Sequence, residues 1–129
     1  MSRRANYALC QFQQLLGPSA DSFDVPWAEY TGDSTDPVSF DIPTSSPGDP
    51  YVQMQVFDVE DFDHEIAVNG DALSGFDIAP GEGWQLWMDT IAPERLHLGE
   101  NTIQFRRDTD SKDAFVVGSV TVHWTEPVE

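Results

Sequence analysis

The stretch 64–75 constrains the fold more than any other part of the chain. Ile66 and Val68 stand two positions apart, the period that indicates a half-buried β-strand. Asn69-Gly70 follows at once, and both residue types accept the positive φ angles that a tight type I′ turn requires. Leu73 restarts an apolar pattern beyond the turn. The stretch therefore predicts a β-hairpin with a fixed register.

The same alternation predicts short strands along most of the chain, separated by turn signals rich in Pro, Gly, Asn and Asp. Residues 17–37 are interpreted as mostly loop, and residues 93–96 favour one helical turn because Pro93 stands at a first-turn position. We expect an all-β chain that forms a single antiparallel β-sandwich of jelly-roll type, with seven to nine short strands in one domain over residues 1–129.

Three local patterns carry further expectations. Residues 5–16 fit either one face of a helix or an alternating strand, and we favour the strand because everything downstream is β. The apolar parity of the strand that begins near Tyr51 reverses at Phe57, which predicts a bulge or the strand's end. Phe76 and Ile78 indicate a brief strand after the hairpin.

The charge balance is extreme, with 6 Lys and Arg against 23 Asp and Glu and a net charge of -17. Most of the acids are Asp, and Lys112 is the only lysine. Such a composition is typical of proteins from extreme halophiles, where concentrated salt screens the repulsion within a few ångströms. The same charge argues against a nucleic-acid partner and against an anionic membrane surface, since both recruit clustered cations.

The chain offers few features that direct it to a membrane or an oxidising compartment. No apolar run is long enough for a spanning helix, and polar residues interrupt any signal-peptide core after the basic start. Cys10 is the only cysteine, so no internal disulfide forms, and we interpret it as a small core residue. We expect a protein of a high-salt cytoplasm or a component of a virion or other assembly.

A pair of turn motifs resembles a known superfamily. Val68-Asn69-Gly70 ends one strand, and Gly99-Glu100-Asn101-Thr102-Ile103 enters another after an aromatic-rich strand. This pair of motifs resembles the turns of the galactose-binding-like β-sandwich, a superfamily that includes carbohydrate-binding modules. The resemblance covers residues 38–124. The whole chain is also similar to small domain families of haloarchaea with no established activity. The resemblance implies a glycan ligand, and it implies the fold far more strongly.

The predicted strand 84–89 contains the candidate ligand-binding site. Trp84, Leu86 and Met88 have the parity of a core face, which leaves Trp87 between Gln85 and Asp89 on the polar face: the candidate site is Trp87, Gln85 and Asp89. An aromatic ring flanked by an amide and a carboxylate suits a sugar. Two alternatives stay open: Trp87 lies under a loop, such as that of Trp27, or packs against the second sheet; or it makes a protein–protein contact.

No motif for a nucleophile, a nucleotide or a zinc ion is present, so we expect no catalytic residues and no enzyme activity. The run 108–113 partly resembles a Ca²⁺ loop, with Asp108, Asp110 and Asp113 as candidate ligands. Lys112 stands where a third ligand is wanted, which favours a polar hairpin tip instead. His64, His97 and His123 lack metal-ligand spacing; we interpret His123 as a surface residue of the last strand.

These observations predict a non-catalytic binding module of a halophile that recognises a protein or glycan partner through the polar sheet face or its loops. A structural or decoration subunit of an assembly, such as a halophilic virus particle, is the alternative, and a small hydrolase is a remote one. A homo-oligomer is compatible with either of the first two. We expect no cofactor, apart from the Ca²⁺ that residues 108–113 would hold.

Overall fold

The computed structural model describes residues 2–61, 64–73, 78–110 and 112–128, which form a β-sandwich of jelly-roll type, as the sequence predicts. Within these ranges the only helical element is a 3₁₀ turn, Pro93–Arg95, at the predicted place. No helix in them is long and apolar enough to cross a membrane. The strands are β1 Ser2–Leu16, β2 Glu29–Gly32, β3 Val38–Ile42, β4 Gly48–Val59, β5 Glu65–Val68, β6 Asp71–Ala72, β7 Gly81–Thr90, β8 Gly99–Arg106 and β9 Phe115–Val128.

The larger sheet has five strands in the order β2-β1-β9-β4-β7. All of its pairings are antiparallel except that of β2, which runs parallel to the end of β1. The sequence did not predict β2, because residues 29–32 show no apolar alternation. Tertiary hydrogen bonds hold it instead: the Tyr30 hydroxyl donates to the Gly17 carbonyl at 2.9 Å and the Thr31 hydroxyl to the Leu15 carbonyl at 3.3 Å.

The smaller sheet has four strands in the order β3-β8-β5-β6, and it contains the predicted hairpin. Val68 pairs with Asp71 across the turn, and Asn69 and Gly70 have φ angles of 52° and 87°. Positive φ at both central residues is the signature of the type I′ turn, so the hairpin prediction is confirmed.

The two turn motifs that carry the family resemblance touch each other. The Asn69 amide donates to Asn101 Oδ1 at 2.9 Å and to the Arg95 carbonyl at 2.8 Å, while Asn69 Oδ1 accepts from the Thr102 N–H at 2.8 Å. Asn101, which is buried, donates to the carbonyls of His97 and Gly99. These bonds satisfy the polar groups at the end of the hairpin and fix it to the start of β8.

The core lies between the sheets and consists of the inward positions of both. Phe12 and Phe105 meet across it edge to face, with ring centroids 5.3 Å apart. The predicted inward residues of β4 and β8 are buried: Val52, Met54, Val56, Ile103 and Phe105. Burial of alternate residues from both sheets is what stabilises a sandwich.

The local predictions have different outcomes. Residues 5–16 lie in β1, so the strand interpretation is confirmed. β4 passes the parity reversal at Phe57 through a bulge, where Asp58 has a φ of 51° and the pairing with β7 shifts. Phe76 lies outside the described residues. Ile78 belongs to no strand, and its backbone N–H bonds to the side chain of His64 instead.

Candidate functional site

The face assignment predicted for β7 is wrong. Residues directly opposite each other in an antiparallel pair point to the same face. Met54, which is in the core, is paired with Trp87, so Trp87 points inward. Trp84, Leu86 and Met88 therefore point outward, and they are 50%, 61% and 62% exposed. The unbroken apolar alternation of β4 decides the register, whereas β7 is apolar on both parities.

The three predicted site residues lie together on the inward side of β7, each partly buried. Trp87 packs against the core, and its indole N–H donates to Gln85 Oε1 at 2.9 Å. Gln85 in turn donates to the Ala79 carbonyl at 3.3 Å. Trp87 therefore packs on the core, which is one of the alternatives that the sequence left open. Its indole N–H already has an acceptor.

Asp89 has the least satisfied environment of the three. Its Oδ1 accepts from the Thr90 N–H at 2.9 Å, while its Oδ2 is buried with no hydrogen-bond partner among the described residues. Burial raises the pKa of Asp89, and the bond from Thr90 only partly opposes that shift. The residue borders a pocket of about 560 Å³ that Tyr51 and Met88 also line. The candidate site thus sits beside a pocket at the end of β7.

The outward side of the larger sheet is a separate surface that the sequence-based site missed. It is formed by alternate residues from the middle of β1, β9, β4 and β7, whose register brings them side by side. Arg3 and the exposed Glu82 have the same parity at the ends of β1 and β7 and lie beyond it. We call it the outer face. Its residues are Tyr7, Leu9, Gln11, Gln13, Ser119, Thr121, His123, Thr125, Tyr51, Gln53, Gln55, Phe57, Trp84, Leu86, Met88 and Thr90.

No residue of the outer face is Asp or Glu, although the chain has 23 acids. The outward positions of the smaller sheet differ sharply: Asp41 and Glu100 stand directly opposite each other there, and Glu65 is also outward. Two like charges in opposite positions destabilise a sheet, yet the smaller sheet carries such a pair. The acids are therefore distributed unequally between the two outward surfaces.

One aromatic group lies across β1, β9 and β4. The rings of Tyr51 and His123 are stacked, with centroids 4.5 Å apart and an interplanar angle of 12°, and Tyr7 lies 6.3 Å from His123. His123 Nε2 is 3.1 Å from Gln53 Oε1. Burial lowers the pKa of His123, which favours the neutral imidazole and keeps this row uncharged at neutral pH.

A second aromatic group lies at the other end of the outer face. Trp84 contacts Phe57 and Trp27, with ring centroids 5.2 Å and 5.7 Å apart. The Trp84 indole also lies directly over Gly118 of β9, since a Cβ atom built on Gly118 would come within 2.8 Å and 3.0 Å of two ring atoms. The absence of a side chain at position 118 lets the ring come this close to the sheet. Trp84 nevertheless stays 50% exposed.

The two aromatic groups are separated along β4 by polar side chains. Tyr51 and Phe57 are six positions apart, which corresponds to about 20 Å in a strand. Gln53 and Gln55 point outward between them, and Thr121 lies beside Gln53 on β9. The outer face thus combines flat aromatic rings with amide and hydroxyl groups that both donate and accept hydrogen bonds.

The candidate Ca²⁺ ligands are engaged with the protein itself. Asp108 Oδ1 accepts from the Asp110 N–H at 2.9 Å, and Asp113 Oδ2 accepts from the Asp108 N–H at 3.2 Å. The Arg107 guanidinium donates to the carbonyls of Asp108 and Asp113 at 3.0 Å and 3.2 Å. The described residues contain no cluster of three or more His, Cys, Asp or Glu arranged for a metal ion. A Ca²⁺ site here stays a prediction.

The structure also brings together two residues that sequence reasoning left apart. His64 Nδ1 lies 3.1 Å from Asp113 Oδ2, and His64 Nε2 accepts from the Ile78 N–H at 3.0 Å. Both ring nitrogens are thus engaged, so this buried pair lacks the free Nε2 that a catalytic base needs. Burial raises the pKa of the Cys10 thiol to about 11, which disfavours the thiolate. These groups give no support to catalysis.

A sequence signal for the outer face did exist. Residues 5–20, 50–57, 83–88 and 114–125 contain no Asp, Glu, Lys or Arg on either parity. A strand with one solvated face in so acidic a chain would be expected to alternate apolar with charged residues. Apolar alternation identifies the more apolar parity of a strand, and it does not detect that both parities are uncharged.

The sequence places the chain in a family. A family of unknown function (DUF7383) matches residues 4–126. The chain belongs to this family. Among curated protein sequences, none matches this chain.

Several solved structures have the same fold as this chain at low sequence identity. The CBM36-1 domain of a multidomain xylanase, from the hindgut metagenome of Trinervitermes trinervoides, has a TM-score of 0.59 and 12% identity, with 96% of this chain and 99% of that chain covered. The carbohydrate-binding module CBM36 in complex with calcium and xylotriose has a TM-score of 0.56 and 12% identity, with 88% and 97% covered.

A family 35 carbohydrate-binding module from Clostridium thermocellum is also similar, with a TM-score of 0.51 and 19% identity over 67% of this chain and 69% of that chain. Likeness at this level establishes the β-sandwich fold alone, because one fold serves many ligands. The predicted β-sandwich fold is confirmed in that sense.

Proposed function

We propose that this protein is a non-catalytic carbohydrate-binding module and that the outer face holds the glycan. The observation that carries the proposal is the chemistry of that face: exposed aromatic rings, amides and hydroxyls, with no acid, in a chain whose net charge is -17. The fold of the three similar structures, all of them carbohydrate-binding modules by description, supports the same conclusion.

Trp84 is the principal contact in this proposal. A sugar ring has one apolar face of C–H groups, which stacks on an exposed aromatic ring. Trp84 offers such a ring, which is 50% exposed, lies over Gly118 and contacts Phe57 and Trp27. Gln53 and Gln55 supply donors and acceptors for the hydroxyl groups of the same ligand.

The electrostatics favour an uncharged ligand. Uronate or sulfate groups would be repelled by the surrounding acids, whereas a neutral glycan meets no carboxylate on the outer face. A neutral surface also loses less hydration free energy when a ligand covers it, because burying an unpaired carboxylate is expensive. The outer face can therefore be dehydrated by a ligand more readily than the acidic surface of the smaller sheet.

The sequence-based site remains a second candidate place for a sugar. Asp89 lines the pocket at the end of β7, Trp87 and Gln85 lie on the same side of that strand, and Tyr51 belongs both to the pocket and to the outer face. A ligand on the outer face could extend past Tyr51 towards Asp89. A high-salt habitat, and a Ca²⁺ requirement of residues 108–113, likewise stay predictions.

Binding measured on variants tests the proposal. Isothermal titration with soluble neutral polysaccharides identifies a ligand for the wild type. Trp84→Ala should then weaken binding at least about tenfold, since stacking on a large aromatic ring contributes on the order of 1 kcal/mol beyond the area it covers. Leu98→Ala, which alters an exposed apolar side chain away from the outer face, should bind like the wild type.

Two outcomes would contradict the proposal. If the wild-type protein binds no glycan, the proposed carbohydrate-binding function is wrong. If the wild type and the Trp84→Ala variant bind a glycan with equal affinity, the outer face is not the binding site. Trp87→Phe, which keeps most of the core packing but deletes the indole N–H, would then test the second candidate place.

A further inference from the structure

Strand β7 presents an open sheet edge. It is the last strand in the order of the larger sheet, it spans Gly81–Thr90, and the described residues place no strand on its far side. A strand in that position leaves alternate backbone N–H and C=O groups without a ladder partner, which makes it a template for another strand.

The middle of β7 does not protect this edge, although Asp89 points inward near the end of the strand. Natural edge strands carry Lys, Pro or inward-pointing charges that prevent pairing with other chains. In β7 the stretch 83–88 has none of these, and Trp84, Leu86 and Met88 form an exposed apolar row beside the open edge. Stacking of a sugar requires an aromatic ring, so the two aliphatic side chains of this row are not explained by glycan binding.

We infer that two copies of the chain pair antiparallel through β7 about a twofold axis at Leu86. This register places Leu86 opposite its own counterpart and Trp84 opposite Met88 of the second copy, which gives an unbroken apolar ladder on the outward side. Glu82 then lies opposite Thr90. A register centred one residue earlier, on Gln85, would put Met88 opposite Glu82 instead.

The apolar row of β7, which is complementary to itself in this register, makes a second copy the partner on this edge. Each copy has a net charge of -17, so two copies repel each other wherever acids meet acids. The outer face and the middle of β7 form a surface of the described chain without acids, and in the Leu86-centred register no carboxylate stands opposite another. Two paired strands of this length exchange about ten backbone hydrogen bonds, the number found in ordinary protein interfaces.

Pairing through β7 has a consequence for the outer face. The two larger sheets become one continuous sheet, and the two outer faces lie side by side on the same surface. The dimer is a claim about the β7 edge and does not depend on the proposed function. It would stand if no glycan were bound.

Sedimentation equilibrium without any glycan tests the dimer at both physiological and molar salt. At about 100 μM chain, where a dimer of micromolar affinity is nearly complete, the wild type should have twice the monomer mass of 14.4 kDa. Leu86→Asp and Leu86→Lys each place two like charges opposite each other across the axis. Each should raise the dimer dissociation constant at least about 100-fold.

An equal mixture of the Leu86→Asp and Leu86→Lys proteins should restore the dimer, because opposite charges then face each other. Leu98→Asp is the matched control, since Leu98 is exposed to nearly the same extent as Leu86, 59% against 61%, and lies outside β7. It should leave the dimer intact. A monomeric wild type, a dimer that tolerates Leu86→Asp, or a mixture that stays monomeric would each overturn the inference.

Discussion

The buried His64–Asp113 pair allows the sharpest prediction about stability. His64 and Asp113 are 2% and 0% exposed. Because the Ile78 N–H can only donate, His64 Nε2 must accept that bond, and the imidazole proton sits on Nδ1, where it points to Asp113. A neutral imidazole thus links β9 and the segment before it to Ile78. His64→Ala removes both bonds.

The expected loss is about 3–5 kcal/mol of unfolding free energy. Leaving a buried donor such as the Ile78 N–H unpaired costs about 1–3 kcal/mol, and taking the imidazole from the buried Asp113 carboxylate costs a similar amount. The ring also packs on Phe115, with centroids 5.0 Å apart, so its removal leaves a cavity. Since domains are stable by about 5–15 kcal/mol, a substantial part of the total would be lost.

Urea unfolding followed by circular dichroism measures this loss in a double-mutant cycle of His64→Ala, Asp113→Ala and the double variant. A coupling energy of about 1–3 kcal/mol is expected, because either single change breaks the same bond. Arg106→Ala, which removes the surface ion pair with Glu65, is the control and should cost less than about 1 kcal/mol. A His64→Ala variant within about 1 kcal/mol of the wild type would refute the reasoning.

Two further outcomes follow from single residues. Gly118→Ala should lift the Trp84 ring off the sheet, because the added Cβ would meet it at 2.8 Å; glycan affinity and Trp fluorescence should change together while the melting temperature moves by only a few degrees, and an unchanged affinity would argue against the flat ring as the contact. Asp89→Asn should raise the melting temperature at pH 7. The pKa of Asp89 is raised by burial, so ionisation destabilises the folded state as the pH rises through that pKa; the gain should vanish in acid, where the wild-type carboxyl is protonated, and a gain that persists there would contradict the cause.

The alternation of apolar and polar residues predicted the sandwich because, in most strands, the apolar residues stand at every second position. β4 and β8 place their apolar residues on every second position, and these positions fill the core. The Asn69-Gly70 turn was predictable because its φ requirement is local. β2 was not predictable, since it is held by hydrogen bonds from Tyr30 and Thr31 to residues far along the chain.

The prediction of which face of β7 points inward was wrong for a physical reason. Three apolar side chains on one parity outnumber the single Trp87 on the other, so counting favours the wrong face. Only the pairing with β4 decides the matter, because Met54 must be in the core and Trp87 stands opposite it. The sequence pattern therefore predicts a site around Trp87, which is partly buried, and not around the exposed Trp84.

The distribution of acids gives the two proposals a common physical basis. A carboxylate on a sheet surface is tolerated while water covers it, as the opposed Asp41 and Glu100 of the smaller sheet demonstrate. The same carboxylate becomes expensive once a ligand or a second chain excludes that water without pairing it. A surface that is covered in use should therefore lack acids even when the rest of the chain is rich in them. In this chain that surface consists of the outer face and the middle of β7, and it carries Trp84 and Leu86, the residues on which glycan binding and dimer formation are to be tested.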